Sequence, residues 1–171
     1  MMMKRIFVTL FLALAAIANS SAQSEGLKVL FLGTGAADWK GVQRRLSSIL
    51  VDDSILVDFT PTDEDMIPEG CNPEVIFYTH SHGDHFNVMS GLRIGLKTVY
   101  CSATWAKRCQ EQYDRAALKL GLKAPKVIGL STQEEVTVNG VTFKALPANH
   151  YTGNLEEQAI FFLMIKGDKR V

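Results

Sequence analysis

The chain has 171 residues, 18 Lys and Arg against 18 Asp and Glu, and 47% hydrophobic residues. This is enough apolar material for one modest domain, and its near-neutral charge with scattered basic residues argues against a nucleic-acid or other polyanion-binding surface. The cysteines are Cys71, Cys101 and Cys109, an odd number that cannot all pair within one chain.

Lys4 and Arg5 precede an apolar run from Ile6 to Ala18, too short to span a bilayer comfortably. Small and polar residues follow, ending in Ser20, Ser21 and Ala22, so residues 1–22 read as a signal peptide cleaved after Ala22. An uncleaved N-terminal anchor is the alternative. The expectation is an exported protein, periplasmic or secreted, with no membrane span in the mature chain. The absence of a Cys after the site argues against lipoprotein processing.

Leu27 to Leu32 is a buried strand candidate running into the turn Gly33, Thr34, Gly35. Leu46 to Val51 and Ile55 to Phe59 flank Asp52, Asp53 and Ser54 and predict a hairpin. Pro61 closes that region. Thr62 with Asp65 has the form of a capping box, which predicts a short helix. Val75 to Thr79 is the next strand, delivering the chain into His80, and residues 86–96 are expected to be helical.

After a strand over Thr98 to Cys101, the segment Ala103 to Leu120 places Trp105, Cys109, Tyr113, Ala116, Ala117 and Leu120 on one face, with Gly121 at its end. That is an amphipathic helix covering a sheet. Its aromatic stripe is read as core. A Cys101 to Cys109 bridge is open on spacing, but unpaired cysteine usually acts as a small buried hydrophobe. Val136 to Val138 and Val141 to Leu146 flank Asn139 and Gly140, which suit the two positive φ values of a type I′ turn. Gln158 to Ile165 is a strongly apolar strand, and Gly167 with Asp168 turns it towards Arg170 and Val171. No repeat or linker divides the chain.

Every histidine falls in one of two places, His80, His82 and His85 in THSHGDH, and His150 in PANHYT. A strand ending at Thr79 hands over to a loop in which alternate residues His80 and His82 can converge on one point. Gly83 lets the backbone turn and aim Asp84 and His85 at a neighbouring point. Imidazole nitrogen and carboxylate oxygen are the ligands of zinc and similar borderline cations, and His150 can supply a third nitrogen to the first point. Taken alone, His150 would read as a surface or a buried hydrogen-bonded histidine. With the cluster, the set has the composition of a catalytic zinc site with an open position.

The run His80, His82, Asp84, His85 after a strand resembles the HxHxDH signature of the metallo-β-lactamase superfamily. Leu32 to Gly35, with Arg45, Ser47 and Ser48, looks like the branch holding tRNA 3′-processing endonucleases and cyclic-phosphate phosphodiesterases. The resemblance implies an α/β fold, the N-terminal portion of a four-layer αββα sandwich over residues 23–171. It implies a first metal on His80, His82 and His150 and a second on Asp84 and His85. Asp58 matches an acidic residue that supports such sites from behind the ligands; a strand-end carboxylate facing water is the plain alternative.

The implied cofactor is one or two zinc ions, with manganese or iron as substitutes. The implied function is a hydrolase in which a zinc-bound hydroxide, oriented by Asp84, attacks a phosphodiester or related ester in a small-molecule substrate. In that family a bridging Asp and a further His follow the residue matched by His150. Neither is present, and Asp168 lies in the turn beside Gly167, so the chain is expected to be C-terminally truncated. The alternative is therefore a non-catalytic fragment binding at most one metal ion.

Overall fold

Short strands, the central ones buried on both faces, account for the architecture. The computed structural model describes residues 26–35, 46–61, 66–150 and 157–171. The leader at residues 1–22, Arg45 and the capping box at Thr62 and Asp65 lie outside the described residues.

In chain order the elements are β1 (Val29–Gly33), β2 (Ser48–Val51), β3 (Ile55–Val57), β4 (Val75–Phe77), α1 (Val88–Arg93), β5 (Thr98–Ser102), α2 (Ala103–Leu120), β6 (Lys126–Leu130), β7 (Glu135–Val138), β8 (Val141–Pro147), β9 (Ile160–Lys166) and β10 (Lys169–Arg170). One sheet runs β1-β2-β3-β4-β5-β6, antiparallel up to β3 and parallel from β3 to β6. The other is antiparallel, in the order β10-β9-β8-β7.

Because side chains alternate across a strand, β3, β4 and β5 divide their residues between two cores. Leu56, Ile76 and Val99 pack with Trp105, Cys109 and Tyr113 beneath the helices. Ile55, Val57, Phe77 and Tyr100 point the other way, against Val141, Phe143, Ala145 and Ile160 of the second sheet. Phe77 is the centre of that second core, stacked at 3.8 Å on Phe143 and 4.6 Å on Tyr100. The described layers are thus helices, mixed sheet and antiparallel sheet, the α/β class expected. Phe161 stands 59% exposed. No described helix is long and apolar enough to cross a membrane.

Both predicted hairpins form. Asp52 and Asp53 have φ of 45° and 56°, and Asn139 and Gly140 have 48° and 80°, the paired left-handed conformations of a type I′ turn. Several boundaries differ from expectation. The helix expected over 86–96 is only the short α1, started by Asn87, whose Oδ1 accepts from Met89 N at 2.9 Å and stopped before Gly95 at φ 72°. Strand β3 ends at Val57 because Asp58 turns to φ 51°.

Helix α2 has the predicted span and buries Trp105, Cys109, Tyr113 and Ala117. Leu120 shares that stripe by rotation but is the last residue of the helix, and is 46% exposed there. Strand β6 is not among the sequence-predicted elements, because Lys126 and Gly129 interrupt its apolar run. A Cβ at Gly129 would lie 2.7 Å from Ala103 Cα, so glycine there is what lets α2 lie against β6. Cys101 and Cys109 are both buried, and all three cysteines are free thiols; no bridge joins them.

Candidate metal centre

The histidine-bearing segments meet at one end of the two sheets. Past β4, Tyr78 N donates to Tyr100 O at 2.8 Å, carrying the chain on alongside β5 to Thr79 and His80. The loop then closes on a single carbonyl: His85 N and Phe86 N both donate to His82 O, at 2.9 and 2.8 Å. Gly83 is not in the left-handed region, so the turn does not use the glycine freedom expected of it; the two amides on one acceptor make the bend instead. His150 follows β8 by three residues.

His80, His82 and His150 bring one ligand atom each within 4.8 Å of one another, and so do His80, Asp84 and His85. His80 therefore belongs to both groups, where the sequence had divided the ligands into two separate sets. His150 Nε2 lies 3.2 Å from His82 Nδ1. Nitrogens bound 2.0–2.1 Å from a tetrahedral zinc are about 3.3 Å apart, so this spacing suits a shared ion. Asp168 lies elsewhere, in the exposed turn between β9 and β10, hydrogen-bonded to Lys169.

Behind the ligands sits Asp58, buried at 5% exposure. Its backbone is held by Ser48 Oγ, which donates to Asp58 O at 3.1 Å, and by Asp58 N donating to Phe77 O at 3.0 Å. Its Oδ1 accepts from Thr79 N at 2.8 Å, and its Oδ2 accepts from Thr79 Oγ1 at 2.7 Å and contacts His85 Nδ1 at 2.9 Å.

Thr79 Oγ1 also lies 2.9 Å from His80 Nδ1. A hydroxyl has one proton, and here the carboxylate takes it, so His80 Nδ1 must be the donor in the second bond. His85 Nδ1 likewise donates to Asp58. One carboxylate thereby fixes both tautomers and leaves Nε2 of each ring with a free lone pair, the form a metal requires.

Electrostatics agree with this division. Burial, with the neighbouring rings of His85, His150 and His82, pushes His80 down to about 4, which keeps it neutral. The hydrogen bond to Asp58 raises His85 above the usual imidazole value. The donor set and its fixed lone pairs fit a divalent cation.

The residues around the rings form a cleft of about 430 Å³ whose remaining wall includes Ala148, Asn149, Ala159, Ile160 and Phe161. The sequence reading found neither this wall nor Thr79. Thr79 could have been noticed as the hydroxyl preceding His80; the wall depends on β9 pairing with β8, for which the sequence carries no chemical signal.

Two sheets under a helical layer, with imidazoles and a carboxylate gathered at their ends, define an α/β fold carrying a candidate metal centre. The family model for the beta-lactamase superfamily domain matches residues 57–171, and the chain belongs to that family. No curated protein matches it by sequence.

Among solved structures it resembles the metallo-β-lactamase fold protein YhfI from Bacillus subtilis (TM-score 0.60, 18% identity, covering 84% of this chain and 59% of that one). It resembles zinc-bound PqqB from Methylobacterium extorquens comparably (TM-score 0.58, 17% identity, 83% and 62%). A third is a putative metallo-β-lactamase from Thermotoga maritima (TM-score 0.52, 18% identity, 84% and 75%). The chain thus spans about three fifths of the length of the first two.

Proposed function

We propose that this protein is a metal-dependent hydrolase acting on an ester, with a phosphodiester as the preferred class. The observation that carries the reading is the meeting of His80, His82 and His150 within 4.8 Å, from segments 68 residues apart, with His80 shared by a second group that adds Asp84 and His85. A divalent ion held by these side chains supplies a Lewis acid that lowers the pKa of water and polarises the bond under attack. Zinc is the ion the donor set suits, with manganese and iron as substitutes.

The chain's own groups do the rest. Asp84, 14% exposed beside His85, accepts a hydrogen bond from the attacking water and orients it. Asp58 holds the rings of His85 and, through Thr79, His80. The mostly apolar cleft wall receives the rest of a small substrate. The phosphodiester preference draws on the likeness of Leu32 to Gly35 to the phosphodiesterase branch. We further propose that the protein works outside the cytoplasm, from the leader-like residues 1–22.

Metal analysis of the purified protein should find about one zinc per chain, as expected for three imidazoles around an open position. Hydrolysis of a chromogenic phosphodiester should exceed that of a lactam, a lactone and a sulfate ester, be lost in His82→Ala and persist in Asp168→Ala. A folded protein that takes up no metal would overturn the site, and equal loss in both variants would mean the ligands are misplaced. Metal binding without turnover of any of the four would favour a non-catalytic metal-binding fragment.

A further inference from the structure

The stretch 157–160 touches both ligand-bearing segments at once. Ile160 N donates to Thr79 O at 3.0 Å, one residue before His80. Ala148 N donates to Ala159 O at 3.1 Å, two residues before His150. Between these ties and helix α2 sits Glu157, whose side chain is 3% exposed. Its Oε2 accepts from Ser81 Oγ at 2.6 Å, and Ser81 stands between His80 and His82. Its Oε1 is ion-paired with Arg108 of α2. Next to it, Gln158 N donates to Thr104 Oγ1 at 2.9 Å, in the first turn of the same helix.

A buried carboxylate is costly unless charged and hydrogen-bonded partners satisfy it, and breaking such a set leaves charge uncompensated. Among the described residues its partners include a helix cation and the loop hydroxyl flanked by two imidazoles. Hydrogen bonds to ionised groups are the shorter and stronger kind. Glu157 is therefore the link through which the rigid helix can hold the His80–His82 loop at a fixed distance from His150.

We propose that Glu157 is a positioning residue for the metal centre, acting through Ser81 and anchored by Arg108, and that it sets the spacing of the three imidazoles. This rests on the metal-binding reading above. No local pattern signals this role, since Ser81 and Glu157 are 76 positions apart.

The test is zinc affinity of the full chain, by competition with a chromophoric chelator, in wild type, Glu157→Ala, Ser81→Ala and the double variant. Melting of the metal-free forms is measured alongside. Loss of a group supporting the ligands typically weakens metal binding about 10–100-fold. Each single variant is expected in that range, and the double variant should be no weaker than the worse single, because both remove the same bond. The visible bands of bound cobalt(II), which report ligand geometry, should shift in both.

Should Glu157→Ala fail to fold, Ser81→Ala decides, since it leaves Glu157 paired with Arg108. Wild-type affinity in a folded Ser81→Ala, with unchanged cobalt bands, overturns the positioning role while leaving the metal site standing. A wild-type chain that binds neither ion removes the metal reading, and this inference with it.

Discussion

Replacing Asp58 by Asn would reverse the hydrogen-bond chain behind the ligands while changing almost nothing else. Asn tolerates the left-handed conformation that Asp58 adopts at φ 51°, and its carbonyl can still accept from Thr79 N. The other end becomes a donor. It then gives protons to Thr79 Oγ1 and His85 Nδ1, both of which it formerly received from.

Thr79 must in turn donate to His80 Nδ1, 2.9 Å away, and both rings are driven to carry their proton on Nε2, the nitrogen needed for metal. Losing one orienting partner costs about tenfold in metal affinity and up to about 100-fold in the stronger cases. With two ligands reversed, a loss near the upper end is expected, about 2.7 kcal/mol. Chelator competition measures the affinity, and nitrogen NMR of the metal-free protein reads the tautomers. A folded Asp58→Asn variant binding zinc within threefold of wild type, with both protons still on Nδ1, would refute the argument.

Three further outcomes follow from the packing and the titration. Phe77→Ala empties the stack between the sheets and should cost about 3–5 kcal/mol by urea unfolding, whereas a loss below 1 kcal/mol would mean that Phe143 and Tyr100 collapse into the space. Gly129→Ala forces a Cβ towards Ala103 Cα at 2.7 Å and should destabilise by about 1–3 kcal/mol, so an unchanged melting temperature would show that α2 is free to shift.

The pH profile of the metal-free protein has two limbs. Between about 4 and 6.5 the unfolded chain binds more protons at His80 than the folded one, so stability rises with pH. His85, raised by Asp58, favours the folded state below its ordinary value, and that contribution is lost as pH climbs through its raised pKa. A urea midpoint that falls steadily from pH 4 to 6.5 would contradict the burial assigned to His80.

The strand leading towards His80, the hairpin at Asn139 and Gly140, the span of α2 and the ligand types at His80, His82, Asp84, His85 and His150 are all local properties of the sequence, although the strand ends at Phe77 rather than Thr79. They depend on alternation, turn conformations and residue chemistry within a few positions, and so could be read directly. Strand β6 could not, because its short run is broken by Lys126 and Gly129 and it becomes a strand only by pairing with β5 under α2.

The same holds at the metal centre. The sequence sorted the ligands into two separate sets, whereas the fold puts His80 in both groups, since distances between side chains on different loops are set by sheet packing. Which nitrogen of His80 and of His85 carries the proton was decided by Asp58 and Thr79 meeting across 21 positions. The tie from Ser81 to Glu157 needed the stretch just before β9 to pass the first turns of α2. Hydrogen bonds between distant segments exist only once burial has brought their backbones together, and no pattern of neighbouring residues encodes that distance.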